Sequence, residues 1–175
     1  MNYHRSAVLL VTALVLATGP NVLLGDENPI FGQIAGLGCT GSGPAASPGF
    51  AIKTFALSDA ATASSAGSTG KGSGLPTFPD IRIVKGLDDC TPLLFGGVAR
   101  ENHFTSGTIT VYTPGGTSKL LLVELTDVFL TGDTFTEGAA NELDELVTVT
   151  YSKIRITHIP SGKTFGWDVK AGKAF

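Results

Sequence analysis

Four groups of residues in this chain have types and spacings suited to chemistry. Gly67-Ser68-Thr69-Gly70-Lys71-Gly72-Ser73 has the glycines and the lysine of a phosphate-cradling loop. Ser65 stands where such a loop needs its first glycine, and Gly72 where a Ser or Thr would hold magnesium, so nucleotide binding is not expected. His103 and His158 are the histidines beyond the N-terminal stretch, and a Ser-His-Asp hydrolase would have to use one of them. No Gly-x-Ser-x-Gly accompanies them, and both fall near element ends, where a solvated histidine is the ordinary case. Asp133, Glu137, Glu142, Asp144 and Glu145 gather oxygen ligands around a Gly-containing turn, but their spacing matches no calcium loop, and a solvated acidic loop is the expectation. Cys39 and Cys90 are the only thiols. The chain therefore reads as a non-enzyme without cofactor or metal.

The elements that position these residues are those of a β-domain. With 175 residues the chain suits one domain. Its 23 glycines, single Trp and single Met point to short strands and many turns. A net charge of −3, with 12 scattered basic residues, argues against a nucleic-acid footprint. Ala7 to Ala17 is an apolar run behind a short positive start, too short for the ~20 residues of a bilayer span. Residues 1–25 thus read as a removed Sec-type signal peptide and 26–175 as one domain. That domain is expected to be secreted, periplasmic or extracellular, without stable membrane insertion. Export would place Cys39 and Cys90 where they can form one disulfide. Two unbridged, half-buried thiols are the alternative, and the sequence leaves both open.

Ile30 to Ile34 suggests a first strand, and Phe50 to Leu57 a short strand covered on both faces. Ser58 to Thr77 is nearly all Ser, Gly, Ala and Thr, the composition of a long flexible loop. Ile81 and Ile83 alternate with Arg82, as in a strand. Thr91 as N-cap, Pro92 at the first helical position, Asp88 and Asp89 near the dipole's positive end and an apolar run predict one helix ending near Arg100. Thr108 to Tyr112, a turn at Thr113 to Thr117, and Leu120 to Leu130 predict a hairpin. In Val147 to Ile159 the apolar positions change from odd to even near Ser152, which predicts a bulge or bend there. Ser161-Gly162 turns into a last strand, Thr164 to Val169. Trp167 beside Gly166 reads as a core or interface aromatic approached closely by another strand.

In this order the motifs resemble the Hcp family, the haemolysin-coregulated tube proteins of type VI secretion. The matching residues are Phe78-Pro79-Asp80-Ile81, Thr91-Pro92-Leu93-Leu94, Arg100-Glu101-Asn102-His103-Phe104 and Gly107 to Gly116. Leu122 to Val128, Glu145 to Ile154 and the ending Phe165-Gly166-Trp167-Asp168-Val169-Lys170 complete the set. The resemblance spans Phe50 to the C-terminus. It implies a mainly β fold, a two-sheet antiparallel β-barrel with one short flanking α-helix, and a structural role without catalysis. It also implies homo-hexameric rings that stack into tubes and carry effectors, with spike and effector proteins of the secretion system as partners. Gly67, Gly70, Lys71 and Gly72 in the Ser/Gly loop, and Trp167, are the candidate assembly contacts. A secreted β-barrel binding module that kept the fold outside an injection tube is the rival reading, because tube proteins of the family lack a Sec signal.

Overall fold

A computed structural model describes residues 29–40, 48–60, 76–138 and 142–175. Among these residues the elements run β1 (Ile30–Ile34), β2 (Phe50–Ile52), β3 (Thr54–Ala56), β4 (Ile81–Gly86), α1 (Thr91–Ala99), β5 (His103–Tyr112), β6 (Lys119–Glu137), β7 (Leu143–His158), β8 (Lys163–Asp168) and β9 (Lys173–Ala174). The leader expected over residues 1–25 lies outside the described residues, as does most of the Ser/Gly stretch.

The predicted hairpin forms as β5 and β6, paired from His103↔Phe129 to Tyr112↔Lys119, and both strands exceed their sequence signals. β6 and β7 pair antiparallel from Leu121↔His158 to Glu137↔Leu143, and the other strands attach to them. β5 pairs with β6, while β4 and β8 share the outer edge of β7 end to end. Both long strands change their buried face midway, as the shift near Ser152 predicts. Val123 and Leu125 are buried on β6, then Val128 and Leu130; opposite them on β7 lie Ile154, then Tyr151 and Val149. At the change Asp127 has φ 51°, and Ser152 Oγ donates to Asp127 Oδ2 at 2.7 Å and to the Thr126 carbonyl at 3.2 Å. A strand whose parity changes at a bend keeps its apolar side turned to one core. Val123, Leu125, Val128, Leu130, Val149 and Ile154 all belong to a single buried cluster with Ile81, Ile83 and Phe50.

The two-sheet barrel needs correction. The hydrogen-bonded path is one nine-stranded antiparallel sheet, β2-β1-β5-β6-β7-β4-β3 with β8 and β9 beside β7, and it does not close. Its two ends, β2 and β3, are consecutive in the chain and joined through Lys53, whose N–H bonds to the Val84 carbonyl at 2.8 Å. The single strand expected over Phe50 to Leu57 is broken there. It is not covered on both faces either: Phe50 and Ile52 are buried while Ala51, Lys53, Thr54 and Ala56 are exposed.

The helix starts where expected but is capped otherwise. Cys90, not Thr91, is the N-cap, Pro92 sits in the first turn, and Arg100 closes the helix. Thr91 is diverted because its hydroxyl accepts from the Asp88 N–H (3.1 Å) and donates to Glu145 Oε2 (2.5 Å). Neither acid lies within the first turn; Asp88 Oδ1 instead accepts from the Cys90 N–H at 2.9 Å. Cys90 is also bridged to Cys39, so the disulfide ties the segment after β1 to the start of α1.

Beneath the helix start Lys85 and Glu145 form a salt bridge of 2.8 Å, with both side chains fully buried. The Lys85 ammonium also donates to Asp88 Oδ1 (2.8 Å), the Gly86 carbonyl (2.8 Å) and Thr91 Oγ1 (3.2 Å). Breaking such a pair on one side leaves a buried charge unmatched, at a cost of roughly 3–5 kcal/mol, whereas apolar replacement of both is often near neutral. Lys85→Met is thus expected to lower unfolding free energy by about that amount, and Lys85→Met with Glu145→Leu to recover most of it, as read from urea denaturation. A double variant less stable than the single would show that the pair stabilises beyond mutual neutralisation.

The disulfide closes a loop between residues 51 apart in sequence, which in the chain-entropy picture contributes about 4 kcal/mol. Replacing both Cys39 and Cys90 by Ser is expected to lower Tm markedly, and reductant to have the same effect on the native chain but none on the variant. Equal melting of native chain and variant without reductant would contradict this contribution.

Candidate functional site

Exposed large apolar side chains are the first signal of a contact surface. Two groups of aromatics stand out. The first lies over α1 and the far end of β6. Leu94 and Gly97 turn inward, and a Cβ on Gly97 would come within 2.7 Å of Leu130, so the helix packs closely on β6. That contact leaves Leu93 and Phe95 on the outer side, with Phe95 53% exposed. Phe95 stacks on Phe135 of β6 with centroids 6.3 Å apart, and Phe135 is itself 46% exposed.

Phe135 reaches that side through a bulge. The β6–β7 register shifts between Leu130 and Gly132, after which Asp133 lies opposite Val147 and Phe135 opposite Glu145. Simple alternation from Val128 and Leu130 would bring residues 132 and 134 to this face, and the extra residue brings 133 and 135 instead. Asp133 is thereby set beneath the helix start, with both carboxylate oxygens buried and, among the described residues, without a hydrogen-bond partner; Glu145 Oε1 is likewise unpartnered. Burial first, then the neighbouring Glu145, push the Asp133 carboxyl up to about 6.

The second group is a row on β8. Trp167 stacks on Phe78 (centroids 5.6 Å) and on Phe165 (6.3 Å), and Phe165 is 54% exposed. Gly166 lies between them in sequence and is buried under Phe175, which follows β9; a Cβ there would meet the Phe175 ring at 2.9 Å. This is the close approach expected beside Trp167. The Phe175 ring faces the Arg155 guanidinium at 5.1 Å, and Lys153 bridges to Asp168 at 3.3 Å. The Asp168 carboxyl is held below its ordinary value by the Ala171 N–H and then by Lys153. Trp167 is thus half-buried within an aromatic row, while Gly67, Gly70, Lys71 and Gly72 lie outside the described residues.

The chemical alternatives do not assemble among the described residues. His103 Nε2 lies 3.4 Å from Asp127 Oδ1, but Ser152 donates to the other oxygen of Asp127, so the carboxylate stands between serine and histidine. A nucleophile needs the imidazole in that central place. Ser152, and then His103, hold Asp127 below the usual carboxylate range. His158 Nδ1 meets Ser161 Oγ at 2.9 Å at an exposed strand end. Asp88, Asp89 and Cys90 converge within 4.8 Å, but the Cys90 sulfur is committed to the disulfide.

The solvated acidic loop is corrected in part. Glu142 and Asp144 do lie outward, holding Lys53 at 3.3 and 2.7 Å, whereas Glu145 is fully buried against Lys85 and Asp133 has its carboxylate inside. Phe95, Phe135 and Lys85 were not singled out by their sequence, and Asp133 and Glu145 only as members of a solvated acidic loop. The signal for two of them was present: Lys85 continues the alternation of Ile81 and Ile83, and Glu145 that of Val147 and Val149.

Comparison with known proteins agrees with these features. A family described as "Type VI secretion system effector, Hcp" matches residues 50–158. No curated protein sequence matches the chain. Among solved structures, Hcp1 from Salmonella typhimurium is similar at a TM-score of 0.69 and 17% identity, covering 85% of this chain and 99% of the other. A structure titled as a type six secretion system protein gives 0.74 at 14% identity, covering 85% of this chain and 100% of the other. The secreted protein Hcp3 from Pseudomonas aeruginosa gives 0.64 at 18%, with coverage of 81% and 98%. At such identities the likeness establishes the fold, and the family match establishes kinship. With its bent β6–β7 hairpin and, among the described residues, one α-helix on that sheet, the chain belongs to the Hcp family of type VI secretion proteins, structural tube proteins and not enzymes.

Proposed function

We propose that this chain is a self-assembling tube component whose copies close into hexameric rings, stack, and carry effectors in the ring. The family match over residues 50–158 is the observation that carries the reading. A ring closes by heterologous contacts, in which each copy presents two different surfaces. The Phe95–Phe135 ledge on α1 and β6 and the Phe165–Trp167 row on β8 supply two unlike apolar surfaces for such a contact. The Ser/Gly loop with Gly67, Gly70, Lys71 and Gly72 is assigned to contact between subunits or between stacked rings, and spike and effector proteins to further partners. Residues 1–25 are assigned to a removed leader. The Cys39–Cys90 bridge suits a chain that spends its working life in an oxidising compartment. That bridge also favours the second reading, an exported binding module that kept the fold without the ring.

The mass of the chain from Asp26 in solution separates the two. Light scattering is expected to give a mass near six subunits, and a monomer with and without reductant would overturn the ring. Deleting Gly67 to Ser73 is expected to abolish assembly while leaving the monomer's melting unchanged. Phe135→Ser on the exposed ledge is expected to weaken association by roughly thirtyfold, the equivalent of a 2 kcal/mol interface anchor, with little change in monomer Tm. Unaltered association would remove the ledge from the contact.

A further inference from the structure

Among the described residues, three buried carboxylate oxygens, Oδ1 and Oδ2 of Asp133 and Oε1 of Glu145, have no hydrogen-bond partner. Orphaned buried acceptors are rare enough to require an account. Asp133 and Glu145 are diagonal neighbours across the β6–β7 ladder, since Glu145 faces Phe135 and Asp133 lies two residues before it. That separation is within reach of side chains sharing a face. If both are ionised, two acceptors meet with nothing between them.

The surroundings cannot neutralise both. From β4 comes Lys85, already shared between Glu145 and Asp88. Asp88, from the segment before α1, adds another negative charge, and α1 itself, Thr91 to Ala99, contributes no charged residue. Beyond Glu145, β7 offers Asp144, which is bound to Lys53; β6 has Glu137, exposed at the arm's end. Among the described residues one ammonium thus stands against Asp88, Asp133 and Glu145. Among the described residues these three carboxylates do not converge as a metal cluster, and a proton is the smallest positive charge that fits.

We propose that Asp133 carries a proton that it donates to Glu145, and that this proton latches the far arm of the β6–β7 hairpin to the start of α1. With the proton on Asp133, its hydroxyl donates to Glu145, and Glu145 keeps its bonds to Lys85 and Thr91. When the proton leaves, a second carboxylate is buried beside the first, and the arm loosens to hydrate it. The arm carries Phe135, so the same event withdraws support from the Phe95–Phe135 ledge. The latch is a property of the single chain and stands whether or not rings form.

The sign follows from linkage. The Asp133 carboxyl is raised from 3.8 to about 6, so the closed arm binds more protons than the opened one between those values. Stability from the latch is present at acid pH, is lost as pH rises through about 6, and is level above it. With those two values the opening equilibrium increases by about tenfold between roughly pH 5 and 7.5.

Carboxyl carbon NMR of the full chain, with amide hydrogen exchange corrected for intrinsic rates, tests this. One aspartate should titrate near 6, and amides of residues 131–138 and 143–146 should lose about tenfold in protection from roughly pH 5 to 7.5. Amides of β5 should show no such slope. In Asp133→Asn, whose amide donates to Glu145 at any pH, protection of the arm should be independent of pH. An Asp133 that titrates below 4.5, or an Asp133→Asn chain with the native slope, overturns the latch. If the variant does not fold, the native carboxyl titration together with the arm's protection profile decides alone.

Discussion

The β6–β7 ladder is the constraint on which the rest of the molecule depends. Two strands of 19 and 16 residues cannot stay flat and wrap one core, so they must change face partway. Asp127 in the left-handed region, held by the Ser152 hydroxyl, makes that change. It divides β7 into a half that receives β4 and a half that receives β8, and it keeps both sets of apolar side chains in one cluster. A second irregularity, the bulge between Leu130 and Gly132, sets the chemistry of the far arm by turning Asp133 and Phe135 toward the helix.

The region under α1 shows how polarity and packing are balanced. Lys85 and Glu145 are wholly buried, yet the ammonium has four acceptors, from the Gly86 carbonyl to the Thr91 hydroxyl. A charge so satisfied is tolerated in a core where an unpaired one would not be. The same network explains the unusual cap. Thr91 is occupied with Glu145 and Asp88, and the helix begins instead on Cys90, which the disulfide fixes to the segment behind β1. Strand, helix and N-terminal segment are therefore joined at one place by a covalent bond and an ion pair together.

The outer surface has a different logic. Among the described residues, most exposed aromatics lie in two separate stacks, one across α1 and β6 and one along β8, while Phe129 stands apart beside His103. Neither surrounds a polar centre of the kind a catalytic site requires, and the histidines lie apart at strand ends. Surface of this sort suits the contact between copies that we propose.

Much of this was legible in the residues. The alternation of Ile81 and Ile83, Pro92 at the start of a helix, and the parity change near Ser152 depend on local periods of two and on fixed backbone angles, which a sequence displays directly. The order of motifs was enough to indicate the family. Lys85 and Glu145 were legible in principle, each continuing an apolar alternation, but a charged residue on a core face is interpretable only when its partner is known. That partner lies 60 residues away. The open path of the sheet, the break at Lys53, the Cys39–Cys90 pairing and the turning of Asp133 inward were decided by tertiary structure alone. Each depends on which distant strand lies opposite and in which register, and register is set by the packing of the whole sheet around its core, not by the residues of one strand.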